Sequence, residues 1–476
     1  MKIITKLKPE KVALSGFFAY LCRQIAIRMK RIFLLWILLM AIMVVHGVPA
    51  KRDVWKTLTL EDGTEVLAQL VGDEHGHFWQ ADDGKAYLIN KDGIAQVVDA
   101  NEIITEAKPR RQLVNDQRAM SMKGQIRVGE VGSYTGKKKA IILLVNYSDT
   151  EFADGHDNTL FNRIANEKGF SEGNFKGSIA DYFRDQSRGQ FELDFDVVGP
   201  LTVSKEQSYY GGNDSKGSDV HPGEMVCEAV ELAKEQVSDW TVYDWDNDGY
   251  VDQVYVIYAG KGEADGGGDN TIWPHAWSLS SAKKNGDGTG AVTVGTNLKV
   301  NNYACGSELN SRGNICGIGT MCHEFSHCLG YPDFYDIDYS GGQGMGYYDL
   351  MNSGSYNGGG YQPAGYTSYE RWMAGWLEPI ELDGKDVAVT NMKSLQNGGE
   401  SYIIYNKGNR NEFMMLENRQ LEGWDASLPH NGLLILHCDY DAKVWSKNGP
   451  NDDPDHQRMT IVSADGNYPY KIKNNK

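Results

Sequence analysis

The chain has 476 residues, enough for roughly two or three folded units, and its composition is that of a folded protein. Its 64 acidic residues outnumber its 47 basic residues, and the resulting charge of -17 argues against a nucleic-acid-binding protein, which needs a basic face. The 54 glycines favour a loop-rich fold over a helical bundle.

The N-terminus carries the pattern of a secretory signal peptide. Basic residues precede an unbroken apolar run from Ile32 to Val45, and small residues follow up to Ala50. This run of 14 residues is shorter than the roughly 20 that a spanning helix needs, so no stable membrane span is expected. We predict a signal peptide over residues 1–50, with Met29 as an alternative start. The protein is then secreted or extracellular, with the periplasm and the cell surface as alternatives.

Cysteine usage leaves two interpretations open. Removal of Cys22 with the signal peptide leaves six cysteines, an even number in a protein bound for an oxidising compartment. Disulfides and buried free thiols both fit this number. Cys322 and Cys328 cannot bridge each other, because six positions along a helix place them about 240° apart around its axis. No CxxC pair occurs, which argues against a cysteine zinc site.

The segment after the signal peptide predicts a small β-rich module. Between Lys51 and about Ala107, short apolar segments alternate with turn signals such as Glu61-Asp62-Gly63. The chain then becomes polar and basic between Lys108 and Lys139, with little periodicity. This composition is typical of an exposed linker, where a processing protease can cut.

The rest of the chain alternates strand and helix patterns and ends in β structure. Ser178 is the predicted N-cap of a helix that runs to about Ser187, and Gly189 is placed to end it. A further helix is predicted over residues 320–329. The strand candidates are Ala140–Val145, Phe191–Val198, Val254–Ala259, Tyr402–Tyr405, Phe413–Leu416 and Gly432–His437.

The helix over 320–329 contains an HExxH motif. Histidines four positions apart lie on one face of a helix, so His323 and His327 can both reach one Zn²⁺ at about 2.0 to 2.1 Å. Glu324 lies beside them, where it can contact a metal-bound water. The pattern predicts a zinc site with Glu324 as its catalytic group.

The residues after the helix suggest a third ligand. Gly330 can adopt the left-handed conformation that ends a helix, and Pro332 forces an extended residue before it, so the chain can turn back and present Asp333. Three protein ligands leave a fourth position open, as in catalytic zinc sites. Asp336 and Asp338 are the alternatives for the third ligand.

Downstream, Tyr347 to Gly354 resembles the turn that lies beneath the metal in metzincins, which puts Met351 below the histidines. An ordinary turn with a packed methionine is the alternative. Tyr356 or a nearby tyrosine is the candidate for a hydroxyl that helps to stabilise an oxyanion.

A second metal pattern lies between residues 244 and 252. It reproduces the first half of a calcium loop, with oxygen ligands at alternating positions and Gly249 for the sharp turn, although position twelve is Tyr255 instead of Glu. The predicted calcium ligands are Asp244, Asp246, Asp248, the Tyr250 carbonyl and Asp252. An Asp-rich turn that binds nothing is the alternative.

Several segments together resemble the immune inhibitor A family of secreted bacterial metalloproteases. They are GSIADYFRDQSRGQ, YDWDNDGYVDQVYVIYAG, IWPHAW, HEFSHCLGYPDFYD, DLMNSGS and MLENRQLEGWD, and they cover most of residues 139–465. LEDGTEVLAQLVGDEHGHFWQADDG is similar to the propeptide of that family. The resemblance implies that His323, His327 and Asp333 bind zinc and that Glu324 is the catalytic base. Similar proteins usually continue with further β structure, so a truncated C-terminus is expected.

A propeptide must block the metal without a thiolate, because no cysteine occurs between Lys51 and Val226. Candidates for a blocking group cluster around one turn, and an exposed polar hairpin is the alternative interpretation of that cluster. They are Asp73, Glu74, His75 and His77.

We therefore predict an α+β fold. A metzincin-like zinc protease domain with a mixed sheet and an active-site helix spans 137–385, after a small β-rich propeptide and linker over 51–136 and before a β-rich C-terminal segment over 386–476. The predicted function is a secreted zinc endopeptidase that hydrolyses peptide bonds of proteins or peptides through a metal-activated water. Zn²⁺ is the catalytic cofactor and Ca²⁺ a structural one. The alternative is a catalytically idle secreted binding or adhesion protein stabilised by metal, and the oligomeric state stays open.

Overall fold

The computed structural model describes residues 46–51, 54–121, 134–214, 217–382 and 387–464. Most of the predicted signal peptide, including the alternative start at Met29, lies outside these ranges. No helix within them is both long and apolar enough to cross a membrane. The six cysteines that they contain are all free thiols, which decides between the two interpretations of cysteine usage.

The first part of the described chain is mainly β structure. Its elements are β1 (His46–Gly47), β2 (Trp55–Thr59), β3 (Glu65–Asp73), β4 (Gly76–Ala81), β5 (Ala86–Ile89), β6 (Ala95–Val98) and the helix α1 (Ala100–Ser121). Strands β2 to β6 follow one another in an antiparallel sheet. The turns are the predicted ones: Gly63 has a φ of 80°, and the Asp62 carboxylate accepts a hydrogen bond from the Thr64 amide at 2.9 Å.

The prediction of an exposed linker between Lys108 and Lys139 is wrong for much of its length. Residues up to Ser121 belong to α1, and the three lysines 137–139 belong to the next strand. Helix α1 packs against β4 through Ala107, which is fully buried, while Gly76 leaves room for the close approach. Because so small a side chain makes this contact, the sequence shows little apolar periodicity there.

The central part of the chain alternates strands and helices, as predicted. Its elements are β7 (Gly136–Asn146), α2 (Asn158–Asn166), α3 (Ile179–Gln186), β8 (Phe191–Thr202), α4 (Gln207–Tyr210), α5 (Pro222–Ala233), β9 (Tyr250–Val251), β10 (Val254–Lys261), β11 (His275–Ser278), α6 (Leu279–Lys284), β12 (Val292–Gly295), β13 (Leu298–Val300), β14 (Asn302–Leu309) and α7 (Gly319–Cys328). Ser178 caps α3 in a capping box with Asp181, and Gly189 follows the helix with a φ of 76°.

A six-stranded sheet in the order β1-β11-β14-β10-β7-β8 forms the centre of the fold. Strands β14, β10, β7 and β8 are parallel, whereas β11 is antiparallel to β14 and β1 is antiparallel to β11. All residues from Ala140 to Val145 of β7 are buried, because alternate side chains enter a separate apolar core on each face of the sheet. Helices α2, α3 and α7 cover one face, and α5 covers the other.

The last part of the described chain contains another sheet, of five strands. Its elements are α8 (Ser368–Met373), β15 (Ile380–Glu381), β16 (Tyr402–Asn406), β17 (Asn409–Arg419), β18 (Gly432–Asp439), α9 (Ala442–Ser446) and β19 (Met459–Ile461). The five strands follow chain order in the sheet, and three of them contain the predicted strands. Inward residues such as Phe413 and Met415 share the apolar core of α7. The fold as a whole is of the mixed α+β class.

Candidate metal centre

Helix α7 brings two histidines together on its buried face. The ring centroids of His323 and His327 are 4.9 Å apart. The Nε2 atoms of His323 and His327 lie 3.1 and 3.5 Å from Asp333 Oδ1. Ligands of one tetrahedral zinc ion at 2.0 to 2.1 Å are about 3.3 Å apart, so these separations suit three ligands of one ion.

Backbone carbonyls orient both imidazoles. His323 Nδ1 lies 2.8 Å from the Leu350 carbonyl oxygen, and His327 Nδ1 lies 2.8 Å from the Tyr331 carbonyl oxygen. A carbonyl only accepts hydrogen bonds, so each Nδ1 carries a proton, and in a neutral imidazole the Nε2 lone pair then faces the Asp333 carboxylate. Lone pairs and a carboxylate repel one another unless a cation lies between them. The donor set therefore fits a divalent metal.

Asp333 is held in place by a residue from a distant part of the chain. Asn448 Nδ2 donates to Asp333 Oδ2, and the Asp333 amide donates to Asn448 Oδ1, both at 2.6 Å. This pairing leaves Oδ1 directed toward the histidines. Gly330 has a φ of 95°, in agreement with its predicted role in turning the chain after α7.

The two alternative ligands, Asp336 and Asp338, are engaged elsewhere. One Asp336 oxygen accepts hydrogen bonds from the amides of Gly341 and Gly342, each at 2.7 Å. Asp338 lies 3.0 Å from the ammonium group of Lys108. Neither belongs to the His323–His327–Asp333 group, whose ligand atoms all lie within 4.8 Å of one another.

Glu324 is fully buried beside this group. Neither of its carboxylate oxygens has a hydrogen-bond partner of normal geometry within the described chain, although the Val48 amide is near enough to favour the charged form. Burial, followed by the charges of Asp333 and Glu74, raises the pKa of this carboxyl well above its usual value. A buried carboxyl without a partner is expensive for folding, which is typical of functional positions.

The turn around Met351 supports the histidine helix from below. The carbonyl of Leu350 accepts the His323 hydrogen bond, and the carbonyl of Met351 accepts one from the Phe334 amide at 2.7 Å. Asp349 stabilises the turn by accepting from the Met351 amide at 2.7 Å. The Met351 side chain is fully buried in the core that α7 shares. The Leu350 carbonyl thus positions His323, and the next carbonyl, that of Met351, positions Phe334.

Residues 46–51, called the cleft segment below, lie next to the metal centre. Its strand β1 forms one edge of the six-stranded sheet and pairs with β11, with Gly47 opposite His275. Trp273 Nε1 donates to the Val48 carbonyl at 2.8 Å, and the Tyr356 hydroxyl donates to the Pro49 carbonyl at 2.7 Å. Both are hydrogen bonds to backbone groups, so they do not depend on the side chains of the bound segment.

The β3–β4 hairpin also lies beside the centre, and its interpretation as an exposed polar hairpin is wrong. Asp73 is 1% exposed, and His75 and His77 are each 8% exposed. The hairpin docks on the loop after Asp333, where the Tyr339 hydroxyl donates to the Gly72 carbonyl at 2.6 Å. Sequence patterns missed this burial because the contacts come from residues outside the hairpin, from 38 to 267 positions away.

Each polar residue of this hairpin has a different neighbour. Asp73 forms an ion pair with Arg111, and His77 Nε2 lies 3.1 Å from Glu263 Oε1. Glu74 Oε1 lies 3.2 Å from His75, whereas Oε2 has no hydrogen-bond partner among the described residues. Burial, followed by the charges of Asp73 and Asp333, raises the pKa of the Glu74 carboxyl. Glu74 does not belong to the group of three metal-ligand candidates.

The acidic loop before β9 brings only some of its predicted calcium ligands together. Carboxylate oxygens of Asp244, Asp246 and Asp248 lie within 4.8 Å of one another. The Asp252 carboxylate lies outside that group and accepts from the Trp245 amide at 2.5 Å. The Tyr250 amide donates to Asp248 Oδ1 at 2.9 Å. The loop has the left-handed turn at Gly249, with a φ of 88°, that the pattern predicts.

Comparison with known proteins agrees with the geometry of the main site. The family model described as immune inhibitor A peptidase M6, catalytic domain, matches residues 127–379. The matched family is one of peptidases, and the matched range includes the buried His–His–Asp group. The chain belongs to the immune inhibitor A peptidase family, and the resemblance seen in the sequence is confirmed.

Two curated relatives are similar to part of the chain. The pre-pro-metalloprotease PrtV of Vibrio cholerae serotype O1 (strain M66-2) is 27% identical over 317 residues, which cover 56% of this chain and 34% of the relative. Immune inhibitor A of Bacillus thuringiensis subsp. alesti is 26% identical over 293 residues, which cover 52% and 42%. The chain thus matches less than half the length of either relative.

Several residues of the site carry no signal in the sequence. Asn448 is a loop asparagine more than 100 positions after Asp333, and the structure gives it a φ of 57°. Trp273 lies in the segment IWPHAW, which marks the family but does not reveal that the indole binds the cleft segment. Such long-range pairs appear only in the folded chain.

Proposed function

We propose that this chain is a secreted zinc endopeptidase that hydrolyses peptide bonds of proteins. The observation that carries the proposal is the convergence of His323 Nε2, His327 Nε2 and Asp333 Oδ1 beside the unpaired carboxyl of Glu324. One carboxylate and two neutral imidazoles are the ligand types of catalytic zinc sites, in which a further position stays open. Bound zinc supplies Lewis-acid chemistry, which acidifies water and polarises a carbonyl group.

Glu324 is the proposed general base and later the general acid. Its buried carboxylate can take a proton from the attacking water at one oxygen and return it to the leaving amine. Neither Glu324 oxygen has another hydrogen-bond partner of normal geometry among the described residues, so both are available for this transfer. Asn448 and the carbonyls of Leu350 and Tyr331 keep the proposed ligands oriented during this transfer.

Tyr356 is the proposed donor for a substrate carbonyl. Its hydroxyl already donates to the Pro49 carbonyl in the cleft segment, next in the chain to Val48, whose amide acts on Glu324. Loss of one oxyanion donor lowers kcat by about a hundredfold to a thousandfold. We expect Tyr356→Phe to lower kcat with little change in KM, while the control Tyr402→Phe, whose hydroxyl contacts the exposed Glu400, has no effect. Full kcat in Tyr356→Phe would exclude this role.

We also propose that residues 51–136 act as a propeptide and that the chain is a zymogen. The cleft segment pairs with β11, and its Val48 amide acts on Glu324, so a substrate cannot bind there at the same time. One relative is named a pre-pro-metalloprotease, which supports a pro segment in this chain. The predicted signal peptide includes residues 46–50. Cleavage after Ala50 empties the cleft, whereas cleavage after Gly47 leaves Val48 in place, and N-terminal sequencing of the secreted protein separates these outcomes.

Calcium is proposed as a structural cofactor of the loop at Asp244, Asp246 and Asp248. Three carboxylates within 4.8 Å repel one another, and a hard cation with oxygen ligands relieves that repulsion. The expected result is a Tm that rises with added Ca²⁺ in the wild type but not in Asp246→Asn. An equal response of the two proteins, or none in either, would contradict the proposal.

The decisive experiment compares the full chain with Glu324→Gln and His323→Gln. An exogenous protease site inserted between residues 121 and 134 allows each protein to be cut, and casein cleavage and zinc content are measured before and after. We expect zinc in the wild type and Glu324→Gln, less zinc in His323→Gln, and casein cleavage in the cut wild type alone. Zinc binding without cleavage in any sample would favour the catalytically idle binding protein.

A further inference from the structure

A second group of metal-ligand side chains lies away from the proposed catalytic centre. His77, Glu263 and Asp269 have ligand atoms that all lie within 4.8 Å of one another. His77 belongs to β4 of the N-terminal sheet, whereas Glu263 and Asp269 belong to the chain after β10. The group therefore joins two regions that are far apart in sequence.

The pair at the centre of this group has the spacing of two ligands of one ion. His77 Nε2 lies 3.1 Å from Glu263 Oε1, close to the roughly 3.3 Å between neighbouring ligands of a tetrahedral zinc ion. The same spacing occurs between His323 and Asp333. The His77 and Glu263 side chains are only 8% and 4% exposed, so bulk water screens their charges poorly.

The surroundings are rich in negative charge and in oxygen atoms without partners. Asn213 donates to Glu263 at 2.6 Å, yet its own Oδ1 is buried without a hydrogen-bond partner among the described residues. Asp219, which accepts from the Trp273 amide at 2.8 Å, likewise has a buried Oδ1 without one. Burial, followed by the charge of Glu263, raises the pKa of the Asp219 carboxyl. Even when it is protonated, the His77 imidazole carries one positive charge, which does not balance the negative charges of the carboxylates around it.

We propose that His77, Glu263 and Asp269 bind a divalent metal of the zinc type, separate from the catalytic centre. One imidazole and two carboxylates are suitable ligands for such an ion. The exposed Asp269 gives the ion a path from solvent. The stacking of the His77 ring on Trp273, with centroids 5.0 Å apart, fixes the imidazole plane.

This site ties the N-terminal sheet to the wall of the proposed active-site cleft. Trp273 stacks on His77 on one side and donates to the Val48 carbonyl through its indole nitrogen. A metal on His77 therefore also stabilises the tryptophan that holds the cleft segment. The metal site itself does not depend on whether the catalytic proposal is correct, because it shares no ligand with that centre.

The test is equilibrium dialysis of the full chain against buffered Zn²⁺, followed by elemental analysis. We expect about two zinc ions per wild-type chain, about one in His77→Gln, about one in the matched control His323→Gln, and almost none in the double variant. Asp269→Asn changes an exposed residue and should fold normally, and we expect it to weaken zinc binding at this site at least tenfold. Circular dichroism checks the fold of each variant.

Two results would overturn the proposal. One is a His77→Gln protein that binds as much zinc as the wild type, and the other is a wild type that binds a single zinc removed entirely by His323→Gln. Either result would leave His77 and Glu263 as a plain buried ion pair. A failure of His323→Gln to lose zinc would instead count against the catalytic centre alone.

Discussion

Replacement of Arg111 tests how much its buried ion pair with Asp73 stabilises the N-terminal sheet. Three contacts join its guanidinium to the Asp73 carboxylate: Nε to Oδ2 at 3.1 Å, Nη2 to Oδ1 at 2.9 Å and Nη2 to Oδ2 at 2.8 Å. The two residues are 4% and 1% exposed. Arg111→Met keeps the aliphatic volume and removes the charge, so it leaves Asp73 as a buried, unpaired carboxylate.

The size of the effect follows from this burial. Breaking a buried ion pair by removing one partner costs about 3 to 5 kcal/mol, most of which is the penalty on the remaining charge. The matched control is Lys108→Met, because Lys108 also lies on α1 and pairs with Asp338 at 3.0 Å, but is 49% exposed. An exposed pair of this kind contributes about 0 to 1 kcal/mol.

A double variant tests whether the unpaired charge is the cause. Asp73→Asn removes the charge, and its side-chain oxygen can still accept the 2.9 Å hydrogen bond from the His75 amide. Arg111→Met combined with Asp73→Asn should therefore recover most of the lost stability. Urea unfolding followed by tryptophan fluorescence measures the free energy, and hydrogen exchange of the β3–β4 hairpin locates the loss. An Arg111→Met protein as stable as Lys108→Met, or a double variant as unstable as Arg111→Met, would refute the reasoning.

Three further predictions concern pH, a helix cap and the metal ligands. Burial lowers the pKa of His275 to about 4, below the usual 6.5, so the unfolded chain binds its proton more readily and stability falls as pH drops from 6.5 to 4. The loss is about 3 kcal/mol, and His275→Gln should remove this part of the pH dependence of urea unfolding; an unchanged profile would contradict it. Ser178→Ala removes the cap of α3 and should cost about 1 kcal/mol in the same assay, whereas no loss would mean that the capping box contributes nothing. Asn448→Ala frees Asp333 and should weaken zinc binding about tenfold to a hundredfold by metal-competition titration, unless the pairing is irrelevant to the ligand.

Local patterns predicted the elements whose cause is local. The cap at Ser178, the turn at Gly63 and the helix over 320–329 depend on residues within a few positions, and the structure has them. The HExxH spacing likewise determines that His323 and His327 share a helix face. Their role as zinc ligands stays a prediction, but their geometry follows from helix periodicity alone.

Features that depend on residues far apart in the chain could not be predicted from sequence patterns. Arg111 looked like part of an exposed basic linker, because nothing near it in sequence indicates the carboxylate of Asp73, 38 positions earlier. Asn448 is an unremarked loop residue until the fold brings it to Asp333. In each case a polar pair closes across separate elements, and single-sequence periodicity contains no information about such pairing.

The cleft segment competes with substrate for the proposed active site, and the outcome depends on the effective concentration of the segment. Because residues 46–51 are covalently joined to the N-terminal sheet, they act as a ligand present at millimolar concentration, which a micromolar substrate competes with poorly. A single cut between the segment and β2 would separate that ligand from the N-terminal sheet, so that it is present only at the concentration of the protein itself. Dilution would then open the cleft, and no rearrangement of the catalytic residues would be needed.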